Sequence, residues 1–202
     1  LLYSLLVASD YYATTEFMSG LEIKDFGELH YIDEMIAAYG KTSVLKAIRK
    51  YETDQYPNTA LQKEENINHL RSELFLDVEK SFLQNSEHDI FYLEAPTGSG
   101  KSNMAVNLSF QLLKKDEDLK KIYYVYPFNT LVEQNRESIF KIFEHNEKII
   151  QEIAVLNSLT PMKLEKDNTE TNGKLSEQNV YQKALLDKQF LNYPFILTTH
   201  VK

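Results

Sequence analysis

Glu94-Ala95-Pro96-Thr97-Gly98-Ser99-Gly100-Lys101-Ser102 lies between two apolar segments of different rhythm. Before it, Asp89-Ile90-Phe91-Tyr92-Leu93 has the β-favouring composition of a short buried strand. After it, residues 103–113 (NMAVNLSFQLL) carry the spacing of a helix packed on a sheet. Gly98 and Gly100 take backbone angles closed to other residues and leave no Cβ in the way, so successive N–H groups can converge on phosphate oxygens at a helix N-terminus. Lys101 supplies a mobile positive charge for the outer phosphates, and the Ser102 hydroxyl suits the shell of a Mg²⁺ ion. The pattern G-x-x-x-x-G-K-[ST] is met with one departure, Ala95 in place of the first glycine. The expected phosphate-binding set is therefore Ala95, Pro96, Thr97, Gly98, Ser99, Gly100, Lys101 and Ser102, with Lys101 and Ser102 as the catalytic pair. A chance Gly-Lys-Ser in a flexible turn is the competing account.

The 202 residues allow one good core and a smaller piece of a second domain. The chain starts inside an apolar run without methionine and ends just after a strand-like segment, which leads us to expect an internal piece of a longer protein. The absence of cysteine excludes a disulfide framework and a thiolate metal site, and suits the cytoplasm. No apolar run approaches the ~20 residues of a membrane span, so no membrane partner is expected. A net charge of −8 argues against a generally basic, nucleic-acid-coating module, yet leaves room for a track built from backbone amides and hydroxyls.

Residues 1–14 (LLYSLLVASDYYAT) read as a buried helix carrying one carboxylate, Asp10, and residues 15–20 as an exit loop. Between 21 and 53 the pattern is helical and amphipathic, divided at Gly40, and carries no recognisable chemistry. Tyr56-Pro57-Asn58 breaks it, placing the domain boundary there: 1–56, then 57–202. A helix over 59–84 presents Leu70, Leu74, Phe75, Val78 and Phe82 on one face. Residues 121–126 form a second strand, ending in Pro127-Phe128-Asn129-Thr130, where Thr130 caps a helix running to about His145. A third strand is expected at 150–156, a polar surface loop at 165–178, a helix at 181–191, and a fourth strand at 195–200. This is the βαβ grammar of a parallel, doubly wound sheet: an α/β, RecA-like P-loop fold. Pro127, Asn129, Thr130, Thr198 and Thr199 then fall at the carboxyl edge of the sheet, where ligands bind. His200 at the same edge reads as structural.

Three blocks in this order resemble superfamily 2 helicases. EAPTGSGKS resembles their motif I, which often carries alanine at the first position; YPFNTLVEQ is similar to motif Ia, and FILTTHV to the region of motif Ib. YPFNTLVEQNRESIF, YQKALLDKQFLNYP and TTHV together resemble the CRISPR-associated nuclease-helicases of type I systems. That resemblance implies ATP with Mg²⁺ as cofactor and single-stranded DNA along Pro127, Asn129, Thr130, Thr198 and Thr199. It also implies recruitment by an RNA-guided surveillance complex; likeness to a RecA-like core implies adenine contacts from the helix ahead of its first strand, here Asn68 and Arg71, for which an ordinary solvated polar face is the competing account. Residues 1–56 would be the C-terminal, all-helical part of a histidine-aspartate nuclease domain and its linker, the likeness lying over 1–15, with Asp10 as one ligand of a divalent transition metal. The Asp-Glu box and the second motor domain of the family would lie beyond Lys202, so little turnover is expected of this stretch alone. The loop by itself leaves two other readings open: a different P-loop NTPase, and a nucleotide-binding switch or assembly module.

Overall fold

The computed structural model describes residues 2–20, 22–24, 26–28, 30–54, 66–156 and 173–200, and over 173–181 the backbone alone. The chain divides into two units: residues 1–30, 120–138 and 146–202, and residues 31–119 with 139–145.

In the first unit the apolar, β-branched run Phe195–Thr199 forms the central strand, β3, of a parallel sheet, flanked by β1 (Ile122–Tyr126) and β2 (Ile153–Leu156) in the order β1-β3-β2. Phe195, Ile196 and Leu197 are almost wholly buried, as a strand covered on both faces requires. β1 is an edge strand among those described, and its Tyr123 and Val125 are exposed. Parallel strands need crossovers, and the described helices of this unit supply them. The connection from β1 contains α6 (Asn129–Phe143, through residue 138 in this unit) and α7 (Glu147–Gln151), and α8 (Gly173–Phe190) precedes β3. The first helix of the chain, α1 (Leu2–Ser19), meets α8 through Tyr11 and Tyr12 against Phe190, at 5.7 and 5.3 Å between ring centroids. Tyr12 also meets Phe26 edge-on, and its hydroxyl accepts a 2.7 Å bond from Asn192 Nδ2.

The second unit is helical: α2 (Ile32–Gly40), α3 (Ser43–Thr53), α4 (Ile67–Gln84) and α5 (Lys101–Lys115), with the loop of residues 94–100 leading into α5. Met104, Val106, Phe110 and Leu113 fix the buried face of α5, where Phe110 meets Tyr39 and Phe143. Beneath them Glu79 is a four-donor polar hub. Arg49 clamps it with Nη1 at 2.7 Å and Nη2 at 2.6 Å, Asn107 Nδ2 donates at 3.0 Å, and Gln111 Nε2 donates as well. Burial alone would raise the Glu79 carboxyl, but these bonds and the Arg49 charge outweigh it and hold the group below the usual carboxylate range.

The α/β class and parallel sheet are as expected, with several corrections. Residues 89–93 are not a strand: Ile90 and Tyr92 are 73% and 95% exposed. They pair with none of the described strands, and Phe91 meets Phe82 at 5.1 Å between ring centroids. The helix expected to be buried at residues 1–14 has no buried residue among those described, and its apolar side chains form no single stripe that a neighbour could cover. It also runs through residues 15–19, expected as a loop, since no breaker precedes Gly20, whose φ of 68° and N–H bond to Glu16 O end it. Of 21–53, the described residues before Ile32 are not helical, and the break near Gly40 is as expected. On α4, Leu70 is exposed and not part of the buried face. The strand expected at 150–156 is shorter, because Asn146 accepts from Ile149 N–H and caps α7 ahead of it. Residues 173–178, expected in a loop, are the first turns of α8; the rest of that loop, 165–172, the boundary at 56/57 and residues 59–65 lie outside the described residues. No described helix is long and apolar enough to cross a membrane.

Candidate nucleotide loop and sheet edge

Gly98 and Gly100 hold φ of 81° and 95°, the left-handed region that the turn demands and that costs other residues roughly 1–2 kcal/mol. Gly100 occupies the N-cap of α5 and offers no side-chain cap, so the first N–H groups of that helix keep no intrahelical acceptor. Its own carbonyl accepts from Met104 N at 3.1 Å, and Ser99 N donates to Pro96 O at 3.2 Å. A Cβ at Gly100 would meet nothing within 4 Å, and one at Gly98 only Arg71 Nη2 at 3.8 Å, so the loop is open on that side. The Lys101 ammonium folds over the loop and donates to Ala95 O at 2.6 Å and Pro96 O at 2.9 Å. Ser102 is exposed in the first turn of α5, as are Pro96 and Thr97 in the loop, while Ser99 is buried and its Oγ finds no partner. Arg71 Nε donates to Gly98 O at 2.8 Å, and Tyr39 Oη donates to Asn103 O at 3.0 Å.

These residues fit a polyphosphate: one turn holds left-handed glycines, helix-end N–H groups without intrahelical acceptors, a buried hydroxyl without a partner and a lysine on a long stem. For Mg²⁺ the loop provides the Ser102 hydroxyl; among the described residues no group of three or more His, Asp or Glu is placed to hold a metal. Asp10, accordingly, stands exposed on α1 outside any such group.

The register of the sheet brings the other candidates together within the first unit. Tyr126 pairs with Thr199, so Pro127, Asn129 and Thr130 leave β1 beside the end of β3, where Thr198 and Thr199 lie. Thr130 is exposed, but it is not the cap: α6 begins at Asn129, and the Phe128 carbonyl accepts from Leu131 and Val132. Asn129 Oδ1 is buried without a partner. Thr198 spends its hydroxyl within the sheet, donating to Leu156 O at 2.6 Å, and Thr199 is buried. Burial pushes the Tyr126 phenol up to about 12, leaving a neutral hydroxyl at this edge near neutral pH. His200 is exposed.

Sequence reasoning missed Tyr39 and the Glu79 hub. Their signals, a tyrosine on the inner face of α2 and an Asn107/Gln111 pair four apart on α5, are legible only once partners 28 to 64 positions away are known.

A family model described as type III restriction enzyme, res subunit, matches residues 45–193. Neither a curated protein nor a solved structure matches the chain.

Proposed function

The chain belongs to the family of the type III restriction enzyme res subunit, the N-terminal motor region of superfamily 2 helicases, and from that premise we propose that it binds ATP at residues 94–102 and moves single-stranded DNA along its sheet edge. The helicase-like P-loop character follows from the family; the residues and the substrate are our reading. One observation carries it: Gly98 and Gly100 at positive φ ahead of the free N-terminus of α5, with the Lys101 ammonium over the same turn. Bound ATP with Mg²⁺ supplies the phosphoanhydride whose cleavage drives movement. The N–H groups of the loop and α5 hold the phosphate oxygens; Lys101 exchanges its two carbonyl acceptors for them, and Ser102 faces the cation. Pro127, Asn129, Thr130, Thr198 and Thr199 line the DNA path, reading the strand's backbone with little regard to sequence.

Titration with a fluorescent ATP analogue tests the site. Lys101→Ala should weaken binding by more than about tenfold with an unchanged circular dichroism spectrum; equal affinity would remove the loop from the account.

Within this reading, the likeness of YPFNTLVEQNRESIF and TTHV to type I CRISPR nuclease-helicases supports cytoplasmic work behind an RNA-guided surveillance complex. Residues 1–56 would then close a nuclease domain, and 57–202 would open the motor. Asp10 is the point at which to test it. Asp10→Ala in the intact protein should abolish metal-dependent cleavage of single-stranded DNA, and undiminished cleavage would leave Asp10 an ordinary exposed helix residue.

A further inference from the structure

Arg71 stands on α4, 27 positions before the loop residue it touches, with its side chain toward solvent. Its planar fork has two fixed acceptors: Nε donates to Gly98 O at 2.8 Å and Nη1 to Asn68 Oδ1 at 3.1 Å. The peptide joining Gly98 to Ser99 is thereby held at both ends, its carbonyl by Arg71 and its N–H by Pro96 O at 3.2 Å. Gly98, at φ 81°, is the position where this peptide is freest to turn over, because glycine tolerates either orientation. A bond at each end confines it, so the N–H groups around the turn are arranged before a polyphosphate arrives and less ordering entropy is lost on binding.

We infer that Arg71 is a positioning residue of the phosphate site, acting through the Gly98 carbonyl and anchored by Asn68, and not a contact to the base. The inference rests on the nucleotide reading of residues 94–102. It differs from the adenine role that the resemblance implies for Arg71 in what it demands of a ligand with no base. Because Arg71 is exposed, truncating it leaves no cavity, and the variants should fold.

The test is calorimetric titration of the chain, and of its Arg71→Ala, Arg71→Lys, Asn68→Ala and double Ala variants, with Mg-ATP and with inorganic tripolyphosphate. Arg71→Ala should weaken both ligands alike, by roughly tenfold, the scale of one hydrogen bond from a charged donor. Arg71→Lys should recover only part, since an ammonium lacks the rigid planar fork by which Nε reaches Gly98 O while Nη1 reaches Asn68 Oδ1. Asn68→Ala should act in the same direction, with the double variant no worse than Arg71→Ala alone. Loss of ATP binding with tripolyphosphate unaffected would overturn the inference in favour of a base contact. Full recovery by Arg71→Lys would overturn it in favour of a bare charge. If the unsubstituted chain binds neither ligand, the nucleotide reading itself fails and the inference with it.

Discussion

Gly27 and Gly20 both sit at positive φ, 79° and 68°, but they are glycines for different reasons. Around Gly20 nothing lies within 4 Å of where a Cβ would stand, so only the backbone angle requires it. At Gly27 that Cβ would come within 2.3 Å of the Asn192 carbonyl carbon and 2.4 Å of Tyr193 N, backbone that cannot give way without disturbing the entry to β3. Gly20→Ala should cost about 1 kcal/mol, and Gly27→Ala more than about 3 kcal/mol, measured by urea denaturation. Equal losses would mean that the approach of residues 27 and 192–193 is not a feature of the folded chain. The loop glycines were legible in the sequence because a lysine and a serine follow them in a known pattern. Gly27 was not, because its reason lies 165 positions away, and no local pattern records a close approach of that kind.

The elements that could be read from the sequence are those whose period matches their burial. The strand Phe195–Thr199 is a continuous apolar and β-branched run and proves to be the buried centre of the sheet. α5 shows its apolar stripe and packs it. Residues 90–93 have an equally strand-like composition but pair with no described strand, and α1 scatters its apolar residues among polar ones without forming a single face to bury. Composition fixes what an element favours; partners decide whether it forms. The Glu79 hub shows the same dependence, joining α3, α4 and α5 by four donors that the sequence scatters over 62 positions, from Arg49 to Gln111. Because its folded pKa lies below the ordinary 4.5, the hub's contribution is fully present above that value and is lost as the pH falls through the lower folded one. Glu79→Gln should therefore destabilise the chain by about 2 kcal/mol near neutrality. It should also flatten the decline in stability as the pH falls below about 4.5. Parallel curves for the two proteins would show that this carboxylate does not govern the acid limb.

At the scale of the molecule, the two candidate sites fall in different units: the loop of residues 94–102 in one, and the edge formed by the ends of β1 and β3 in the other. Both stretches stand out as motifs in the sequence, and the family match over residues 45–193 supports the helicase-like class of the chain. That Thr130 is not the cap was not legible there, because the Phe128 carbonyl starts the helix earlier. Nor was the bond from the Thr198 hydroxyl to Leu156 O inside the sheet, whose acceptor lies 42 positions away. If nucleotide and DNA act on the same machine, ATP hydrolysis by the intact protein depends on single-stranded DNA, and measuring it with and without that strand is the decisive experiment. Stimulation by DNA of mixed sequence, absent in Lys101→Ala, is the predicted result; hydrolysis indifferent to DNA, or stimulation that survives Lys101→Ala, would contradict it.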